Sequence, residues 1–102
     1  MNPDPHQGAL SRRQVVQMLR QVIDPEIGIN VVDLGLIYDL EVEEDAVRVS
    51  LSMTTPACPM SGYITGQIED LLGAAKGVES VRTEIVWEPA WSREMIDDRV
   101  LA

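Results

Sequence analysis

Two runs of alternating apolar and polar residues, parted by only three residues, fix the centre of this chain. Leu36, Tyr38, Leu40 and Val42 alternate with Ile37, Asp39 and Glu41. After Glu43-Glu44-Asp45 come Val47, Val49, Leu51 and Met53 against Arg48, Ser50, Ser52 and Thr54. Successive strand side chains point to opposite faces, so each run reads as a strand with one buried face. A three-residue connection makes the pair an antiparallel hairpin, although it lacks the glycine of the commonest turns.

Helical patterns flank the hairpin. Ser11 followed by Gln14 is a capping-box signature, and Val15, Val16, Leu19, Val22 and Ile23 recur at helical spacing until Asp24-Pro25 stops them, which predicts a helix over about residues 12–23. Between Asp24 and Asp33, Pro25, Gly28 and Asn30 interleave with Ile27, Ile29, Val31 and Val32, the pattern of an ordered loop that buries its apolar members, and Gly35 opens the first strand. Beyond the hairpin, Ile64, Ile68, Leu71, Leu72 and Ala75 share a helical face, with Gly73 and Gly77 marking where that helix frays and ends. Val81, Thr83, Ile85 and Trp87 alternate into a third strand that Pro89 terminates, and Ser92 caps a short last helix through about Arg99. The order α-β-β-α-β-α predicts an α+β fold: a small mixed three-stranded sheet covered by helices, the second of which crosses over to bring the third strand parallel to one hairpin arm. Trp87 and Trp91 are expected in the core. Tyr63 either shapes a pocket near Cys58 or lies on the helix surface.

At 102 residues the chain makes one domain, residues 11–102, preceded by a tail over 1–10 whose Pro3, Pro5 and Gly8 leave little to bury. A core of this size hides roughly 65% of the surface of the unfolded chain. Seventeen acidic residues against eight basic ones give a net charge of −9, which repels phosphate backbones and anionic headgroups and argues against nucleic-acid or membrane partners. The acidity itself serves solubility. One cysteine rules out an internal disulfide, and with no signal-peptide pattern and no run long enough to span a bilayer, the expected compartment is the cytoplasm.

That cysteine, Cys58, stands between Pro56 and Pro59, past a strand and at the mouth of a helix. A helix N-terminus favours thiolate over thiol, which makes Cys58 a reactive residue; otherwise it is a small apolar residue in the core. A thiol enzyme needs a neighbouring base, yet the sole histidine, His6, lies in the tail and has no assigned role, so catalysis is not expected. Thr54 and Thr55, at the end of the second strand, either donate hydroxyls to the thiolate or finish the ladder. Asp24, Glu26 and Asp33 place three carboxylates around one loop. They either bind a hard cation or assist the thiol, or they do structural work, with Asp24 stopping the helix before Pro25 and Asp33 tying down the backbone at Gly35.

Asp24-Pro25-Glu26-Ile27, Val32-Asp33-Leu34-Gly35-Leu36-Ile37-Tyr38, Thr54-Thr55-Pro56-Ala57-Cys58-Pro59, and Gly77-Val78 with Val86-Trp87-Glu88-Pro89-Ala90-Trp91 occur in that order. Together they resemble the MIP18 family, also called DUF59, which includes the bacterial SufT and PaaD proteins and eukaryotic cytosolic iron–sulfur assembly factors. The resemblance covers about residues 11–98. It implies a non-enzymatic domain that helps mature iron–sulfur proteins, with the assembly machinery and client apoproteins as partners. It also implies a functional site at Cys58, Asp24, Glu26, Asp33, Thr54 and Thr55. There are departures. PaaD-type members serving phenylacetyl-CoA ring oxygenation carry a further cysteine-rich C-terminal segment that is not seen here, and no P-loop is present, so the expectation is SufT-like. Ala90 stands where a second proline is common. The alternative is an adaptor for a PaaD-like ring-hydroxylating complex in which Cys58 is incidental.

Ligand counting narrows the chemistry. A conventional cluster takes four thiolates, so a monomer with one cysteine holds none stably. What remains is a transient cluster shared across a homodimer or with a partner protein, a single iron on Cys58, or direct sulfur chemistry with a client.

Overall fold

The computed structural model describes residues 10–55 and 61–97. The expected tail over 1–10 lies, save for Leu10, outside them. The elements are α1 (Arg12–Leu19), β1 (Ile37–Val42), β2 (Ala46–Leu51), α2 (Ser61–Gly73) and β3 (Ser80–Ile85), followed by a 3₁₀ turn at Arg93–Met95. The sheet runs β1-β2-β3, antiparallel between the hairpin arms and parallel between β2 and β3, as expected. Among the described residues no helix is long and apolar enough to cross a membrane.

The capping box starts α1. The Gln14 amide donates to Ser11 Oγ at 3.1 Å, and the Ser11 amide donates to Gln14 Oε1 at 2.8 Å. The helix buries Val15 and Leu19 and then stops four residues earlier than its periodicity predicts. The reason is a competing pairing: the Val31 amide donates to the Val22 carbonyl at 2.9 Å and the Asp24 amide to the Ile29 carbonyl at 3.0 Å, so residues 22–24 are extended against 29–31. Val22 is buried by this route, while Ile23 and Ile27 are about two-fifths exposed, and the expectation that the loop buries Ile27 is corrected.

In the hairpin the Glu43 amide donates to the Ala46 carbonyl at 2.8 Å, closing the three-residue connection. The register shifts between Ile37 and Asp39, leaving Tyr38 as the extra residue of a bulge. Its hydroxyl is thereby free to donate to the Pro89 carbonyl at 2.8 Å. α2 buries Ile64, Ile68 and Leu72 in one core with Val47, Val49 and Leu51 of β2. Each such side chain contributes about 1.5–3 kcal/mol of apolar burial.

After β3 the chain differs from expectation in two places. The Val86 amide still donates to Leu51, but Trp87 is 45% exposed and not core, because the chain leaves the ladder there to cross Tyr38. Trp91 packs against the core as expected, its indole N–H donating to the Leu34 carbonyl at 2.7 Å. The last helix is one 3₁₀ turn in the described residues: Ser92 makes no side-chain cap and Ile96 is extended. Extension at Ile96 lets the Asp97 amide reach the Asp33 carbonyl at 2.7 Å, a bond that a continuing helix would forfeit.

Candidate functional site

The stretch from Asp24 to Gly35 is two turns held by side chains. Asp24 is 1% exposed, and its Oδ1 accepts from the amides of Glu26 at 2.8 Å and Ile27 at 3.3 Å. Its carbonyl accepts from Gly28 at 2.7 Å, a closure that Gly28 reaches at a φ of 81°. Asp24 is therefore the anchor of an Asx turn. Its other oxygen, Oδ2, is buried with no hydrogen-bond partner among the described residues.

Asn30 organises the second turn. Its Oδ1 accepts from the amides of Val32 at 3.0 Å and Asp33 at 2.9 Å, and its Nδ2 donates to Asp33 Oδ2 at 2.9 Å. Asp33 Oδ1 is buried and unpartnered, like Asp24 Oδ2. Asp33 does not fix Gly35 with its side chain, since the Gly35 amide donates to the Val32 carbonyl at 3.0 Å. Gly35 itself has a φ of 77°, and a Cβ there would run into the Met95 carbonyl. The turn carrying Asp33 is thus clamped by Met95 and by the Asp97 amide.

The Ser52 amide donates to the Leu36 carbonyl at 2.8 Å, which ties the end of β2 to the exit of this turn. Ser52 is 1% exposed and its Oγ is also unpartnered. Thr54 is half-buried and Thr55 exposed, both beyond the last ladder pair at Leu51, so finishing the ladder is not their role. Cys58 lies outside the described residues. Glu26 is exposed, apart from the buried Asp24 oxygen. Among the described residues no group of three or more His, Cys, Asp or Glu side chains is placed to hold a metal ion, so Asp24, Glu26 and Asp33 do not make a three-carboxylate cation site. Tyr63 is exposed and its hydroxyl accepts from Gln67 at 2.9 Å, which puts it on the helix surface.

The described part of the site is two carboxylates, each with one oxygen committed to the loop and one buried oxygen unpaired. An unpaired buried acceptor costs about 1–3 kcal/mol, more for a charged group, and calls for an explanation. Ser52 adds a third such atom. Sequence reasoning missed Asn30 and Ser52. Asn30 had a signal, a side-chain amide three residues ahead of Asp33 at a turn, whereas Ser52 sits on the polar side of the alternation and had none.

Comparison with known proteins adds the family context. Residues 12–83 match the family described as "Iron-sulfur cluster assembly protein". The chain is 37% identical to the "Fe-S protein maturation auxiliary factor" of Porphyromonas gingivalis over 89% of this chain and 88% of that one. It is 37% identical to the "Fe-S protein maturation auxiliary factor SufT" of Staphylococcus aureus over 74% of this chain and 86% of that one. A solved DUF59 domain from Bacillus anthracis superposes with a TM-score of 0.83 at 32% identity, covering 87% of this chain and 86% of the other.

Proposed function

The chain belongs to the iron–sulfur cluster assembly protein family, the MIP18 or DUF59 group, and we propose that it is a SufT-like auxiliary factor that passes iron or a transient cluster to client apoproteins through Cys58. It is an accessory protein and not an enzyme. The observation that carries the site assignment is the pair of buried carboxylate oxygens, Asp24 Oδ2 and Asp33 Oδ1, that no hydrogen bond from the described residues occupies. A loop needing these residues only as anchors would be served by the other two oxygens. The surplus acceptors suit polar contacts made during handover, with the soft thiolate of Cys58 as the iron ligand. Ser52 joins that polar set, and Thr54 and Thr55 stand between it and Cys58 in the sequence. Two thiolates from separate molecules, rather than four from one chain, favour passage over storage.

Asp33→Asn separates function from structure. The amide oxygen still accepts from Asn30, so the melting temperature is expected to stay close to wild type. Client maturation is expected to fall by about 10- to 100-fold, the range seen when groups supporting a metal site are changed. Asn30→Ala is the counterpart. It uncaps two amides at a cost of about 1–2 kcal/mol, seen as a lower melting temperature. If Asp33→Asn lowers the melting temperature as much as Asn30→Ala does, or leaves client maturation intact, Asp33 is a loop anchor only.

A further inference from the structure

β3 lies at the margin of the sheet, and among the described residues nothing pairs with its outer edge. The amides of Ser80 and Val86 donate to Asp45 and Leu51, so the even-numbered residues turn their backbone groups toward β2. By the two-residue period, Val81, Thr83 and Ile85 turn theirs outward. Their side chains lie on the helix-covered face: Val81 and Ile85 pack against the core, and the Thr83 hydroxyl donates to Glu69 of α2 at 2.7 Å. Arg82 and Glu84 are exposed on the other face. Edge strands are normally guarded by charged side chains, lysine above all, by proline or by a bulge. Ser80–Ile85 has no lysine, proline or bulge, its register with β2 is unbroken, and its two charges, Arg82 and Glu84, are of opposite sign.

We infer that this edge pairs antiparallel with β3 of a second copy, about a two-fold axis at Thr83, giving a six-stranded sheet. Charge selects both the occupant and the register. With Thr83 opposite its own copy, Arg82 faces the partner's Glu84 on the open face, and Val81 faces the partner's Ile85 on the helix face. Backbone direction agrees. The pairs Thr83–Thr83 and Val81–Ile85 join residues whose N–H and C=O groups both point outward, so they exchange hydrogen bonds. Arg82 and Glu84 then fall in the non-hydrogen-bonded pairs, where side chains come closest. A shift of one residue breaks the hydrogen-bond pattern. A shift of two sets Arg82 against Arg82 or Glu84 against Glu84. Two-fold self-complementarity of this kind is what an interface between identical chains requires, and a foreign strand would not need it.

α2 leaves room for the second copy. Gly62, Gly66 and Gly73 fall on the same stripe as Glu69, the residue that reaches Thr83, and a Cβ added at any of the three glycines would meet nothing within 4 Å. Glu69 sits beside the axis in both copies, so its charge opposes pairing. The arrangement sends the C-terminal ends of the two β2 strands in opposite directions, so the dimer carries two separate sites. It rests on the strand edge alone and not on the iron–sulfur assignment.

Analytical ultracentrifugation of the full chain over a concentration series, with amide exchange on the same samples, tests the pairing. The expected mass rises from 11.3 kDa toward twice that value, and the amides of Val81, Thr83 and Ile85 gain protection with concentration. Arg82→Glu, which makes both cross-axis charge pairs repulsive, should weaken association by about tenfold or more, and the double variant Arg82→Glu/Glu84→Arg should restore it. Glu69→Gln should tighten it. Thr83→Pro removes an N–H that β2 does not use, so the chain should fold but remain monomeric. Several results would overturn the inference: a wild-type chain that stays monomeric at millimolar concentration, a dimer indifferent to Arg82→Glu, or a folded double variant that fails to recover. Edge protection independent of concentration would do so too, by placing another part of the same chain on the edge.

Discussion

Replacing Cys58 by serine is expected to abolish maturation of client iron–sulfur proteins while leaving the fold unchanged. The substitution keeps the size of the side chain and removes the only thiol in the sequence. A serine hydroxyl does not ionise near neutral pH, so it neither holds iron as a thiolate does nor exchanges with a client sulfur. No other residue in the sequence supplies a thiolate. The sole histidine is His6, near the N-terminus, and the described residues contain no His/Cys/Asp/Glu group able to hold a metal. The check is the activity of an iron–sulfur enzyme in the native host, complemented with wild-type or Cys58→Ser chain, beside thermal melts of both proteins. Full client activity with the serine variant would mean that the chain acts by docking alone, as an adaptor with an incidental cysteine.

Gly35→Ala is expected to be among the most destabilising single-methyl changes in the molecule. Two effects add at this position. The φ of 77° is a left-handed conformation that costs an L-residue roughly 1–2 kcal/mol, and the new Cβ would collide with the Met95 backbone, which cannot swing away as a side-chain end can. Relief requires moving the segment that also holds the Asp97 to Asp33 hydrogen bond, so the turn beneath the candidate site loosens with it. A total of about 3 kcal/mol is expected, lowering the melting temperature by about 10–20 °C for a domain of this size. Gly28→Ala is the internal control. Gly28 has a similar φ of 81° but open space around it, so only the conformational part applies, about 1–2 kcal/mol. Equal melting temperatures for the two variants would mean that Met95 does not clamp the turn.

The parts of the fold fixed by short-range pattern were legible in the sequence. The hairpin, the crossover helix and the parallel third strand follow from alternation and from the spacing of Ile64, Ile68 and Leu72. Errors came where a long-range bond overrode local pattern. Val22 and Ile23 continue the helical period, yet pairing with residues 29–31 unwinds them. Trp87 continues the strand alternation, yet the chain turns away toward Tyr38, whose own place depends on a bulge that no residue type announces. Ser92 looks like a helix cap, but the Asp97 to Asp33 hydrogen bond favours an extended Ile96. At the site, Asp24 and Asp33 were legible as candidates, and the structural alternative is seen in one oxygen of each, Asp24 Oδ1 in its Asx turn and Asp33 Oδ2 on Asn30, while the role of the other oxygens toward Cys58 is the proposal made above. Which oxygen does which could not be read from sequence, because it depends on how tightly Asn30 and the Asx turn draw the loop inward.

Iron and sulfide analysis of size-exclusion fractions after anaerobic reconstitution tests the handover account most directly. One cysteine per chain gives one thiolate per molecule, so a cluster demands ligands from elsewhere. The account predicts a colourless monomer peak with at most weakly held iron. Any cluster should appear in species containing more than one protein molecule, at about half a cluster or less per chain, and should vanish in Cys58→Ser. It should survive Arg82→Glu, since pairing at β3 sends the ends of the two β2 strands in opposite directions. A monomer peak carrying one full, stable cluster per chain would contradict the account.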